Sequence, residues 1–400
     1  MSLKVLDINN IRNICVVGAG VMGQGIAQVS LMAGFNVTLI DIKENILDKA
    51  LKKIEEGLEK VKTKNKLGAN VSIEELLKKC LKSTDLASTV KNADFVFEAI
   101  IEKLELKKEV CNTVMNVAPS HCIYASNTST FRITEIAAGS KRPENVIGMH
   151  FFHPVYVQGC VEVMKGLKTS DEVLDICVAL GEKLPCKKGK RLSVRIEKES
   201  PGFIANRLLI PPIIYLNWVL DQAYEQNIPW EQIDADAGAG ELIQIGPCQL
   251  IDYLGIDATY NSLKSYEKYL SSDFTPGKVL TKLMKEGNWG KKTGKGFYDW
   301  TKETPKVDLS KKAGLFNLEI DLAIQLNEGC KLLKERIVSG YKIIDDLMLK
   351  GTNMPGPFSV GKSNFEKWSK LLEDIAEKTG KNYLRPCKLM KSGEFVKMRR

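Results

Sequence analysis

"RNICVVGAGVMGQGIAQVSLMAGFNVTLID" occupies residues 12–41. Its first six residues, "RNICVV", form a short β-branched run of the kind a buried parallel strand uses. Gly18, Gly20 and Gly23 follow at G-x-G-x-x-G spacing. Apolar positions then recur at helical spacing over residues 21–33, and Gly34 stops the helix. "NVTLID" reads as a second strand closing on Asp41, 21 residues after Gly20. Glycines at this spacing mean little alone. Here they stand between a strand and a helix, with a terminal acid after the next strand, and that context points to a dinucleotide fold. Gly18 permits the tight turn. Gly20 lets backbone N–H groups approach a pyrophosphate at the helix N-terminus, where the helix dipole favours negative charge. Gly23 lets helix and strand pack closely. The segment Gly18, Ala19, Gly20, Val21, Met22 and Gly23 is therefore the expected cofactor loop. Asp41 can accept both ribose hydroxyls and would repel a 2′-phosphate, and Ile42 and Lys43 follow it with no arginine. The expected cofactor is NAD.

Outward from that core, residues 43–82 read as helical, lysine-rich and too long for a simple crossover, an excursion from the sheet. "ADFVFEAI" (93–100) returns to strand pattern, "LELKKEVCNTVM" to helix and "CIYASNTST" (122–130) to strand and polar loop. Ligands bind beyond the C-terminal ends of such strands. Glu98 and the loop of Ser126, Asn127, Thr128 and Ser129 stand there, with turn capping an equal explanation for the hydroxyls.

"NVIGMHFF" (145–152) is a further strand, and Pro154 requires extended backbone before it. It carries two of the three histidines, His150 and His153. Three residues apart on a strand, they face opposite sides, so no metal site is expected. "CVEVMKG" (160–166) is a returning strand, and an antiparallel pairing could set Glu162 beside His150. A carboxylate on one imidazole nitrogen fixes the tautomer and leaves the other nitrogen for acid–base work. A satisfied structural histidine is the plain alternative.

"GAGVMGQGIA", "FEAIIEKLELKK", "ASNTST", "HFFHPV" followed by "VEV", "SPGFIANRLL", "GPCQLIDYLGID" and "GKKTGKGFYDW" occur in this order over residues 12–300. Together they resemble the L-3-hydroxyacyl-CoA dehydrogenase family, most closely its short-chain 3-hydroxybutyryl-CoA type. The resemblance implies NAD-dependent oxidation of a (3S)-3-hydroxyacyl-CoA. It makes His150 the base, Glu162 its orienting partner, Ser129 a hydrogen-bond donor to the reacting oxygen and Asn206 a substrate-positioning residue. Glu102, Lys107 and Lys292 match cofactor contacts, and Lys64 matches a lysine that meets the CoA phosphates. The family's serine contact to CoA falls near Gly57. One departure is direct: the family pattern is HFFNP, and His153 takes the asparagine's place beside cofactor and substrate oxygen. It is a tolerated substitute, a device narrowing the pocket toward short chains, or a mark of altered catalysis.

From "SPGFIANRLL" onward strand patterns stop, with Ser200 capping and Pro201 at a first helical position. Family length would end the chain near residue 300. Instead "LNWVLDQAYEQNIPWEQID" (216–234) is echoed by "LNEGCKLLKERIVSGYKIID" (326–345), "IGPCQL" by "PGPFSV" and "KLMKEG" by "KLMKSG", at offsets of roughly 106–110. The expected architecture is an α/β Rossmann-like NAD-binding domain (1–199, with the excursion 43–82) followed by two tandem all-α helical domains, 200–302 and a degenerate copy over 314–400. That copy lacks the asparagine and the "TGKGFYD" tail. It is expected to cover the surface that a partner subunit covers in single-copy relatives, making the chain a monomer or homodimer.

The bulk properties agree. The chain is 44% hydrophobic and 27% charged with net charge +9, its lysines interleaved with glutamate. No zinc-finger spacing or RNA-binding aromatic motif supports a nucleic-acid partner. No apolar run reaches the roughly 18–20 residues of a membrane span, and "MSLKVLDINN" lacks a secretory apolar core. Ten cysteines without regular spacing read as reduced thiols of a cytoplasmic protein. Three rivals remain: a longer-chain 3-hydroxyacyl-CoA dehydrogenase, a β-hydroxyacid dehydrogenase acting on free acids with a lysine base, and a non-catalytic NAD-binding protein.

Overall fold

The computed structural model describes residues 8–64, 66–67, 71–240, 244–302 and 306–399. The N-terminal stretch read for a secretory signal therefore lies outside the described residues as far as position 7, as do positions 65 and 68–70 of the excursion. The chain divides into two compact units. The first takes residues 1–204 with 336–338 and 343–356, and the second takes 205–335, 339–342 and 357–400.

The first unit is built on one eight-stranded sheet: β1 (Asn13–Val17), β2 (Asn36–Ile40), β3 (Cys80–Ser83), β4 (Phe95–Glu98), β5 (Ile123–Ser126), β6 (Val146–Phe151), β7 (Cys160–Lys165) and β8 (Leu192–Ile196). Spatial order is β3-β2-β1-β4-β5-β6-β7-β8. The first six strands run parallel; β7 returns antiparallel to β6, and β8 runs parallel to β7. All residues of β4, β5 and β6 are buried, as strands covered on both faces must be. Order reverses between β1 and β4, and that switch point opens the crevice where ligands sit.

The excursion begins as a helix, Glu44–Lys62, with Leu47, Ala50, Ile54, Leu58 and Val61 buried along one stripe. A short helix Ile73–Lys78 follows. The excursion is not helical to its end, because Cys80–Ser83 forms β3 at the sheet margin. Only Cys80 of those four residues is buried. A short edge strand carrying a lysine has no alternation to read.

In the second unit the helix Leu318–Lys334 is buried on almost every side, with Ile320, Ala323, Ile324, Leu326, Cys330, Leu332 and Leu333 inside. It packs against Ala205–Leu209 and Pro212–Glu225 before it, and against Pro357–Gly361, Phe365–Thr379 and Lys388–Ser392 after it. The architecture is thus a Rossmann-like α/β domain with a helical C-terminal region, in which both helical segments build one core. An ionic cluster ties them. The Arg207 guanidinium, 1% exposed, meets Glu328 at 3.4 Å and Glu335 at 3.1 Å. Glu328 also accepts from Lys331 (2.6 Å) and from the Tyr383 hydroxyl (3.0 Å).

Candidate active site

The glycine turn leaves β1 at the switch point. Gly18 has φ +101°, and a Cβ there would lie 2.5 Å from the carbonyl oxygen of Ala99, just past β4. A Cβ on Gly23 would fall 1.8 Å from the Gly18 oxygen. Both glycines are demanded by the protein's own packing. Gly20 is different: its φ is −71° and a Cβ would meet nothing within 4 Å. Packing does not demand that glycine; its place at the helix N-cap suits glycine, and it leaves room for close approach of a ligand. Gly20 caps the helix Val21–Met32 without a side-chain hydrogen bond, so no capping side chain takes its first-turn N–H groups. Val21, Ile42 and Ile101 are exposed apolar residues that follow β1, β2 and β4 in the chain. Asp41, at the end of β2, accepts from Ala19 N (2.8 Å) and from its own neighbour Ile42 N (2.8 Å). It holds the loop and keeps lone pairs for two ribose hydroxyls. These residues fit a dinucleotide without a 2′-phosphate.

At the ends of β4 and β5 the polar residues form one network. Glu98, fully buried, accepts from Lys107 Nζ (2.6 Å), Ser126 Oγ (2.6 Å) and Ile100 N (2.9 Å). Lys107 is 1% exposed and also reaches Glu102 at 3.1 Å. Burial by itself would lower the Lys107 ammonium, but Glu98 and Glu102 outweigh it and leave the group above its ordinary range. Glu102 then accepts from Thr128 Oγ1 (2.5 Å), Ser129 N (3.1 Å) and Thr130 N (3.1 Å). Lys107 thus supports the loop from below. Ser126 and Thr128 spend their hydroxyls on carboxylates within the network, and Ser129 is the half-buried hydroxyl of the loop.

His150 lies on β6 directly opposite Glu162 on β7. Its Nδ1 is 2.7 Å from Glu162 Oε2, and Glu162 Oε1 accepts from Ile204 N at 2.7 Å. Glu162 is wholly buried and His150 is 8% exposed. A carboxylate accepts only, so Nδ1 donates to it, and in the neutral imidazole Nε2 then presents a lone pair. The rings of Phe152 and Phe203 flank the imidazole at 5.1 and 5.2 Å between centroids. Phe203 holds a left-handed backbone, φ 59°. Asn127 Oδ1 accepts from Phe151 N (2.9 Å), tying the Ser129 loop to the histidine strand.

His153 lies past the end of β6 and is exposed. It lines a cavity of about 480 Å³ whose wall includes Gly57, Lys53, Lys60, Lys64, Lys66 and Lys187. Among the described residues, no group of three His, Cys, Asp or Glu side chains converges on a point, and no helix is long and apolar enough to cross a membrane. The first unit thus brings together the glycine turn, Asp41, the Glu102–Ser129 loop and the His150–Glu162 pair. Asn206 and Lys292 belong to the second unit, where Lys292 is paired with Asp257. Sequence reasoning missed Ile204 N on Glu162, the flanking Phe152 and Phe203, and four of the five cavity lysines. Lysines at positions 53, 60 and 64 share one side of a helical path, a spacing that could have shown those of the excursion.

Residues 13–195 match the profile of the 3-hydroxyacyl-CoA dehydrogenase NAD binding domain, and residues 202–300 match that of the 3-hydroxyacyl-CoA dehydrogenase C-terminal domain. The chain is 37% identical over 297 residues to the mitochondrial hydroxyacyl-coenzyme A dehydrogenase of Sus scrofa (72% of this chain, 91% of that one). It is 38% identical over 298 residues to a probable 3-hydroxybutyryl-CoA dehydrogenase of Bacillus subtilis (74% and 99%). The solved (S)-3-hydroxybutyryl-CoA dehydrogenase of Ralstonia eutropha aligns with 73% of this chain and 100% of its own, at TM-score 0.64 and 33% identity. The solved 3-hydroxybutyryl-CoA dehydrogenase of Escherichia coli aligns with 97% of this chain and 99% of its own, at TM-score 0.81 and 27% identity. That alignment takes in the residues beyond 300. By both domains, the chain belongs to the 3-hydroxyacyl-CoA dehydrogenase family.

Proposed function

We propose that this protein is an NAD-dependent dehydrogenase of (3S)-3-hydroxyacyl-CoA, acting on the short-chain 3-hydroxybutyryl thioester, with His150 as its acid–base group. The hydrogen bond from His150 Nδ1 to Glu162 carries the reading. It leaves Nε2 to take the proton of the substrate 3-hydroxyl. The buried carboxylate, held in turn by Ile204 N, orients the ring and offsets the positive charge the imidazole acquires. NAD, when bound, accepts the hydride from C3. Ser129 donates to the reacting oxygen from a loop that Glu102 holds in place. Asn206 positions the thioester from the helical region. Asp41 selects NAD, and Lys292 and His153 complete the cofactor contacts. In the reverse direction His150 returns its proton to the ketone oxygen.

The cavity lined by five lysines supports a CoA thioester over a free acid, because CoA carries phosphates that such a wall attracts. Lys64 is the contact proposed from sequence, and Lys53, Lys60 and Lys187 join it. Loss of NADH absorbance with acetoacetyl-CoA, against NADPH and a longer 3-ketoacyl-CoA, is the test. No turnover with any of them contradicts the reading. Preferential turnover of the longer thioester favours the longer-chain alternative.

The residues beyond 302 are read as a degenerate second copy of the helical domain standing in for a partner subunit's domain. Arg207 supports this: a buried cation of the first copy finds both its carboxylates in the second. A chain ending at residue 302 should sediment and unfold differently from the full chain. Identical behaviour contradicts the idea. A cytoplasmic location is supported by ten unbridged cysteines.

A further inference from the structure

Residues 343–356 lie far beyond the catalytic motifs in sequence, yet they belong to the first compact unit. Most of them form the helix Lys342–Thr352. Its last carbonyls are held by that unit: Lys350 O accepts from Gly159 N at 2.9 Å. Lys188 Nζ bridges Leu349 O (3.3 Å), Lys350 O (3.1 Å) and Asn353 Oδ1 (2.5 Å). An ammonium on the final carbonyls is a favourable end for a helix. The clasp brings Gly351 against the ring of Phe152, where a Cβ would stand 3.0–3.1 Å from three ring carbons. Phe152 in turn packs beside the His150 imidazole, 5.1 Å between centroids and tilted 60°.

Gly351 stands one residue from the end of that helix, beside the clasped carbonyls of Leu349 and Lys350. What the absent side chain provides is room for Phe152. We infer that Gly351 is a positioning residue for catalysis: the clasped helix of the C-terminal extension is the backstop of Phe152, and Phe152 sets the plane of His150. The inference rests on His150 being the acid–base group. The extension thereby contributes to the active site as well as to stability. A side chain at 351 forces the ring to give by a few tenths of an ångström while it packs on the imidazole, and a displacement near 1 Å costs on the order of 10²-fold in rate.

The test uses the full chain with NADH and acetoacetyl-CoA. Gly351→Ala should lower kcat about threefold or more and Gly351→Val at least tenfold, with KM for NADH within twofold. The His150 Cε1–H resonance should move in both variants while that of His121 stays. In a Phe152→Leu background Gly351→Val should cost at most a third of the fold-loss in kcat that it costs in the unmutated chain. If Gly351→Val does not fold, Gly351→Ala is read by the same three criteria. An unchanged kcat and His150 resonance, or a loss that Phe152→Leu leaves untouched, overturns the inference. Absence of turnover in the unmutated protein would instead overturn the functional reading, and the resonance comparison would still test the contact.

Discussion

Glu328→Gln perturbs the cluster that joins the two helical segments. Arg207 and Lys331 are the cations, and Glu328 and Glu335 the carboxylates. Arg207 is 1% exposed and Glu328 fully buried, whereas Glu335 is 40% exposed. The substitution keeps shape and leaves two cations facing one half-exposed carboxylate. The Tyr383 hydroxyl loses its charged acceptor as well. Breaking a buried pair by removing one charge costs roughly 3–5 kcal/mol, because the remaining charge stays desolvated. In a domain of this size 1 kcal/mol corresponds to about 2–4 °C. The melting temperature of the helical unit should fall by roughly 6–20 °C, measured by urea unfolding alongside a thermal scan. Glu335→Gln should cost clearly less, since water already screens that partner. A double-mutant cycle with Arg207→Met should show coupling above about 1.5 kcal/mol. A loss below about 1 kcal/mol for Glu328→Gln would refute the view that this cluster fastens the second helical segment to the first.

Three further outcomes follow from single residues. Gly20→Ala should cost no more than about 1 kcal/mol of stability, because the added methyl meets no protein atom and only the N-cap preference for glycine is lost; KM for NAD should rise at least tenfold, and an unchanged KM would remove the ligand argument for that glycine. Burial lifts the Asp234 carboxyl from 3.8 to about 6, although the Tyr298 hydroxyl and the N–H groups of Cys248 and Gln249 pull it down. A carboxyl raised on folding stabilises fully below about pH 4 and loses that contribution as pH rises through about 6. Relative to Asp234→Asn, the unmutated chain should therefore lose on the order of 2 kcal/mol between pH 4 and pH 7, and parallel stability curves for the two would contradict this. His153→Asn, at an exposed cavity position, should change unfolding free energy by no more than about 0.5 kcal/mol. Its effect should fall on KM for NADH and for the acyl-CoA, and a large loss of stability would show that His153 is a structural residue.

The α/β core was legible because its signals are local. The run β1, glycine turn, helix, β2 and Asp41 declares itself by spacing, and β4, β5 and β6 read as strands from continuous apolar runs. Strand β3 was not legible, since Cys80–Ser83 buries one residue and offers no period. The His150–Glu162 pair was only half legible. Twelve residues of separation allow an antiparallel return, but the register had to come from the sheet. Ile204 N, the third member of that arrangement, lies 42 residues beyond Glu162, and no local pattern announces it. The same holds for Arg207 and Glu328, 121 residues apart. Their charges resemble the solvated lysine–glutamate face of the rest of the chain. Contacts of this kind are decided by packing, and packing is not periodic.

The central claim is that His150, oriented by Glu162, moves the proton. The direct measurement is steady-state oxidation of NADH by acetoacetyl-CoA with His150→Gln and Glu162→Gln. The glutamine variants keep polar side chains of similar reach and remove the basic nitrogen or the carboxylate charge. His150→Gln should lose about 10²–10⁴-fold in kcat, with KM for NADH within a few-fold, and Glu162→Gln should fall between it and the unmutated enzyme. A His150→Gln protein that keeps more than a tenth of the original kcat would contradict the claim.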